Sequence, residues 1–150
     1  RIRLHTWGQT LTAITLGIAA MQAADPPVQK DTAASLTVLV QGARSDEGTM
    51  RFAIYKTKKS FTSDPFKGGW SIIKDGKAEW EIPDLEPGEY ALACFHDENG
   101  DKKFNQNFIG LPIEDYGFSN GAKVRLGPPS WKKVVFTVKP GVNRHRIKVR

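Results

Sequence analysis

The stretch HDENGDKKFNQN, residues 96–107, sets oxygen-bearing side chains at odd steps around one glycine: Asp97, Asn99, Asp101 and Asn105. A calcium loop spaces its ligands in this way, because a hard cation of flexible geometry gathers oxygens from carboxylates, amides and carbonyls. In that frame Asp97, Asn99 and Asp101 take positions 1, 3 and 5, the backbone carbonyl of Lys103 takes position 7 and Asn105 position 9. Calcium is the cofactor these residues point to. The frame is not that of an EF-hand, since Lys102 stands where the glycine of position 6 belongs and Phe108 where position 12 needs a bidentate Glu. With so little negative charge the ion would bind weakly unless Glu114 or Asp115 folds back to help. The same residues also fit a metal-free polar loop, in which Asp and Asn side chains accept backbone hydrogen bonds in Asx-turns.

Catalytic chemistry has thinner support. Cys94 and His96 share one face of a strand, as a thiol and its base would. Side chains two apart on a strand stand roughly 7 Å from each other, too far for the hydrogen bond a base needs. His96, Asp97 and Ser119 have the composition of a hydrolase triad, but no nucleophile-elbow sequence surrounds Ser119. The expectation is a chain without enzymatic activity.

Two further groups bear on binding. In NRHRIKVR, Arg144, Arg146, Lys148 and Arg150 fall on one strand face, with His145, Ile147 and Val149 on the other. Such a row of cations suits anionic polysaccharide or lipid headgroups, or else a solvated face that discourages edge-to-edge pairing. The long segment from Phe108 to Trp131 carries Tyr116, Phe118 and Trp131. These aromatics either stack on sugar rings or cover one end of the fold.

The elements that position these residues are strands. Leu36, Val38 and Val40, then Met50, Phe52 and Ile54, alternate as one face of a strand does, and GARSDEG between them supplies a reversing loop, so a hairpin is expected. Asp75-Gly76 in GWSIIKDGKAEWEI is a favoured type I′ hairpin turn. After Pro87-Gly88, the run from Tyr90 to His96 is apolar on both faces, as a central strand would be. WKKVVFTV, Pro140-Gly141 and NRHRIKVR add a final hairpin. About seven strands with turns at short intervals and no long helical period predict an all-β fold, a single antiparallel β-sandwich of Ig-like or transthyretin-like kind.

LEPGEYALACFHDENGDKKFNQNFIGLPIEDYGFSN, with GPPSW behind it, resembles the signature of a family of secreted bacterial proteins, the domain of unknown function numbered 2141. The resemblance runs from about Leu36 onward and is most specific in PGEYA, HDENGD and GLPIEDYGFSN. The L-x-PG-x-Y turn is similar to that of transthyretin-like and carboxypeptidase-regulatory-like sandwich domains as well. The resemblance implies an exported β-sandwich with no established activity. It also implies an aspartate at the position of Asn105, so this chain lacks one charged ligand candidate.

Arg1 and Arg3 precede an apolar run from Leu11 to Met21 and then Gln22, Ala23 and Ala24, the layout of a secretory signal. The run is much shorter than the roughly 20 residues of a membrane span. The expected organisation is therefore a signal peptide over residues 1–24, a linker over 25–34 and a β-sandwich domain over 35–150, with no transmembrane span in the mature chain. Losing Arg1 and Arg3 lowers the formal charge of +6 by two, a mild basic bias. At 39% hydrophobic and 25% charged residues the 150-residue chain has ordinary globular composition. Cys94, the single cysteine, is read as a small buried hydrophobe. The expected protein is an exported, periplasmic or extracellular, non-enzymatic binding or structural module of the bacterial envelope, stabilised by calcium. Its expected partners are anionic or glycan envelope components, and export argues against nucleic acid. The alternative is a carbohydrate-active or peptide-cleaving accessory enzyme using the 97–120 loop.

Overall fold

The computed structural model describes residues 33–150. The expected signal peptide and the linker up to residue 32 lie outside the described residues. In chain order the strands are β1 (Ala34–Gln41), β2 (Thr49–Tyr55), β3 (Lys67–Ile72), β4 (Lys77–Leu85), β5 (Gly88–Asp97), β6 (Tyr116–Phe118), β7 (Phe136–Val138) and β8 (Gly141–Lys148), with a 3-10 turn at Ser119–Gly121 and a one-turn helix α1 (Trp131–Val134). They form two sheets, β4-β1-β8 and β3-β2-β5-β6, with β7 also paired to β5. The all-β, sandwich-like fold is the expected one.

The partners of several strands differ from expectation. Leu36, Val38 and Val40 of β1 and Met50, Phe52 and Ile54 of β2 are all buried, as their alternation requires. The two strands do not pair as a hairpin, however. The GARSDEG loop carries the chain from one sheet to the other, so the two apolar faces stack into one core that also takes Leu92, Cys94 and Ile147. Stacking removes both faces from water, whereas pairing side by side would leave the joint face to be covered by something else.

The same division occurs at the other two turns. Around Asp75-Gly76, Lys74 and Lys77 exchange backbone hydrogen bonds of 2.8 and 3.0 Å, and both turn residues have positive φ, 52° and 68°, as a type I′ turn needs. Beyond that bridge β3 joins β2 and β4 joins β1. At Pro140-Gly141 the chain again changes sheet, from β7 on β5 to β8 on β1. Since Gly141 lies opposite Ala34, β8 starts where β1 starts and the two run parallel through Gln41 and Lys148. The expectation of an all-antiparallel sandwich is corrected at this pair.

The central position of β5 is as expected: β2 covers one edge, and β7 and β6 divide the other. Tyr90, Leu92 and Cys94 enter the main core, while Ala91 and Ala93 face a second cluster with Phe118, Val134 and Trp131. The LEPGEY turn is locked by the Tyr90 hydroxyl, which donates to the Glu86 carbonyl at 2.7 Å, the device of a tyrosine corner. At the far end Tyr116 and Arg150 exchange two backbone hydrogen bonds, 3.2 and 3.1 Å, that join the two sheets.

Gly48, with φ 68°, ends the loop before β2, and a Cβ there would strike the backbone of Asp97. Gly48→Ala is expected to cost on the order of 2–4 kcal/mol in urea unfolding, from the left-handed φ together with the overlap. Gly100→Ala, with φ 74° and open space around it, is expected to cost only about 1–2 kcal/mol.

Candidate functional site

The 97–105 loop leaves the end of β5 at Asp97, which is 0% exposed. Arg51, on the neighbouring strand β2, donates from Nε to Asp97 Oδ2 at 2.7 Å, and the Lys102 N–H reaches the same oxygen at 3.1 Å. Farther along, Asn99 Oδ1 accepts the Asp101 N–H at 3.0 Å, and Asp101 Oδ1 accepts the Lys103 N–H at 2.8 Å. The Asn105 amide donates to Asp101 Oδ2 at 3.0 Å. That amide and the Lys103 N–H hold the Asp101 carboxyl below its usual range. Lys102 has φ 65°, so it adopts the left-handed conformation that glycine supplies at position 6 of an EF-hand loop.

The loop is closed by Glu114. The Asn105 N–H donates to Glu114 Oε2 at 2.9 Å, so this carboxylate folds back where Phe108, 99% exposed, does not. Asp115 instead takes Arg44, accepting its Nη2 at 2.8 Å and its backbone N–H at 3.0 Å. Burial pushes the Glu114 carboxyl up, the Asn105 N–H opposes that, and Asp97 and Asp101 push it further.

The hydrogen bonds along 97–103 are those of successive Asx-turns. They leave something over: Asp97 Oδ1, Asn105 Oδ1 and Glu114 Oε1 are buried acceptors with no hydrogen-bond partner. A buried acceptor without a donor costs about 1–3 kcal/mol, and more when charged. Three such acceptors on and beside the loop leave room for a donor or a positive group. Among the described residues no group of three or more His, Cys, Asp or Glu is placed to hold a metal ion, so a cation here depends on amide and carbonyl oxygens as well. Of the residues expected as ligands, Asp97, Asn99, Asp101 and Asn105 are joined in this network. Lys103 enters it through its N–H.

Sequence reasoning named Glu114 only as a possible helper and missed Arg51. No local signal could have found Arg51, since it lies 46 residues from Asp97 and meets it only through β2–β5 pairing.

The catalytic candidates Cys94, His96 and Ser119 are all buried. Cys94 packs in the main core, where burial raises its thiol to about 12, out of reach of the thiolate that nucleophilic attack needs. His96 Nε2 donates to the Glu47 carbonyl at 2.6 Å, and its Nδ1 is buried without a hydrogen-bond partner, 3.9 Å from Asp115 Oδ2. Ser119 is buried and its hydroxyl binds the backbone of Leu92 and Val134, tying β5 to α1. The aromatics of the long segment pack on one another and on Phe61 and Phe104: Tyr116 stands edge-on to Phe118, Phe61 to both Phe118 and Trp131, and Phe104 to Tyr116. They cover the outer face of the five-stranded sheet. Arg144, Arg146 and Lys148 are exposed on β8, an edge strand, with no ion-pair partner among the described residues.

Residues 38–146 match the sequence profile of the family described as an uncharacterized protein conserved in bacteria, DUF2141. The chain belongs to this family. The match takes in β2 through β7 whole, the 97–105 loop and most of β8, so the loop lies within the matched domain. No curated protein and no solved structure matches the chain. Among the described residues of this DUF2141 protein no helix is long and apolar enough to cross a membrane.

The buried state of Cys94 has a direct check. The thiol is expected to stay unlabelled by a chromogenic disulfide reagent at pH 8 in the native protein, and to react fully once the chain is unfolded in guanidinium. Labelling at the same rate in both states would show an accessible thiol.

Proposed function

We propose that this DUF2141 protein is an exported, non-enzymatic binding module of the bacterial envelope whose 97–114 loop is set by calcium. The observation that carries the calcium reading is the trio of buried, partnerless oxygens at Asp97, Asn105 and Glu114. The ion would take these oxygens together with Asp101, Asn99 and the Lys103 carbonyl, a mixed set of the hardness calcium prefers. Arg51 already offsets part of the charge of Asp97, and Asn105 is neutral, so the affinity belongs to the weak range of extracellular modules. An envelope location supplies calcium at such concentrations. The exposed cations of β8 give the module a face suited to anionic envelope polymers. The non-enzymatic reading is supported by the fates of Cys94, His96 and Ser119, each engaged in packing or backbone bonds.

Calcium at tenfold excess over its dissociation constant is expected to raise the thermal midpoint by roughly 3–6 °C over chelator, because it binds the folded state alone. Magnesium should do less, since it sheds water reluctantly and demands octahedral geometry. Glu114→Gln should remove most of the shift and Asn105→Asp should enlarge it. An unchanged midpoint for the parent in millimolar calcium would leave the loop as an Asx-turn scaffold and sink the metal reading.

Export is tested separately, by expressing the precursor in a bacterial host and sequencing the N-terminus of the protein from each cell fraction. The expected outcome is a periplasmic or extracellular chain that begins close to residue 25. A cytoplasmic chain retaining residues 1–24 would overturn it.

A further inference from the structure

The outer face of the five-stranded sheet holds a cavity of about 750 Å³, roofed by residues from two stretches, 104–111 and 124–128. Its origin is legible in the strand register. Ala53 of β2 lies directly opposite Ala93 of β5, so two small side chains meet where neighbouring positions carry Tyr55 and Phe95. The alanines make a floor, and the larger residues make the walls. The roof is fixed at its base, where Phe104 packs on Phe95 and Tyr116 with ring centroids 5.5 and 5.9 Å apart. Its tip is shaped by Asn107, whose Oδ1 accepts the N–H groups of Ile109 and Leu111 at 3.1 and 2.9 Å. That turn brings Ile109 and Leu111 to the cavity although both remain largely exposed.

The volume falls within the roughly 300–1,000 Å³ of small-molecule sites. Its chemistry selects among ligands. Aliphatic and aromatic side chains dominate the lining, and the side chains on it that carry a hydroxyl, amide or charge are Tyr55, Thr62, Gln106 and Arg125. A sugar ring needs several converging donors and acceptors, which this lining does not offer. Arg125 is the single charged residue of the lining, is exposed, and has no ion-pair partner among the described residues. A guanidinium at the edge of an apolar chamber is complementary to a carboxylate on a long hydrocarbon chain. Beside it Leu126 is 107% exposed, a bare apolar side chain at the entrance that an alkyl chain would cover.

We propose that this cavity is a binding site for a single-chain amphiphile with an anionic head, a long-chain carboxylate, the tail lying over Ala53 and Ala93 and the head at Arg125. The inference goes beyond the calcium reading and does not rest on it. The alkyl chain contributes by leaving water, about 0.8 kcal/mol for each methylene buried, and the head fixes its direction.

The test is titration calorimetry of the full chain with dodecanoate, dodecanol and dodecylammonium, each below its micellar or solubility limit. Dodecanoate is expected to bind saturably at one site and more tightly than the alcohol, with the ammonium weakest. Arg125→Glu should weaken dodecanoate roughly five- to tenfold and leave dodecanol within twofold. Ala53→Phe, which fills the floor, should weaken both chains on the order of tenfold or more, with circular dichroism confirming the fold. Leu126→Ser, at an exposed position, gives a second variant whose weaker binding does not depend on the core. Phosphatidylglycerol vesicles in a flotation assay distinguish a membrane headgroup from a free chain, and retention on vesicles without dodecanoate binding would overturn the proposal. So would saturable binding that Arg125→Glu weakens equally for acid and alcohol, or no saturable binding by the parent.

Discussion

A carboxylate with no exposure to solvent stands at the end of the central strand. Asp97 closes β5, and its burial obliges the surroundings to supply positive charge and hydrogen-bond donors. Arg51 comes from β2, Lys102 from the turn of the loop, and Glu114 is drawn into the same neighbourhood through Asn105. The strand pairing that places Arg51 and the left-handed φ of Lys102 both answer that one requirement. Removing Arg51 while keeping Asp97 would strand a buried charge, which typically costs about 3–5 kcal/mol.

The strands themselves were readable because their side-chain period is two. Leu36, Val38 and Val40, and Met50, Phe52 and Ile54, announce buried faces without any tertiary information. The turns were readable too, since Asp75-Gly76 and Pro140-Gly141 carry the backbone conformations that reversals need. What local sequence does not encode is whether the strands on either side of a reversal share a sheet. That choice depends on which surface remains to be covered once every strand is present. For this reason three expected hairpins became three crossings between the sheets, at 42–48, at 75–76 and at 140–141.

The candidate site was legible to the extent that it is local. Asp97, Asn99, Asp101 and Asn105 lie within nine residues; Asn99, Asp101 and Asn105 are joined by hydrogen bonds, and Asp97 is tied to the loop through the Lys102 N–H. Glu114 could be named as a helper because it is close in sequence. Arg51 and the Ala53–Ala93 pair could not, because they are brought to the site by register between strands some forty residues apart. Lys102 shows the opposite case: its side chain spoke against a glycine-type turn, and the backbone made that turn nonetheless.

The parallel pairing of β1 and β8 joins Ala34 to Gly141 and Gln41 to Lys148, the two extremes of the domain. In chain order β1 is the first of the eight strands and β8 the last. β1 therefore waits as an incomplete sheet, paired at most with β4, until β8 is available. Such pairing raises the contact order and slows folding, because the longest loop must close before the three-stranded sheet is whole. A domain built this way completes its three-stranded sheet only when β8 is added, and loss of Gly141–Lys148 would remove a whole sheet edge.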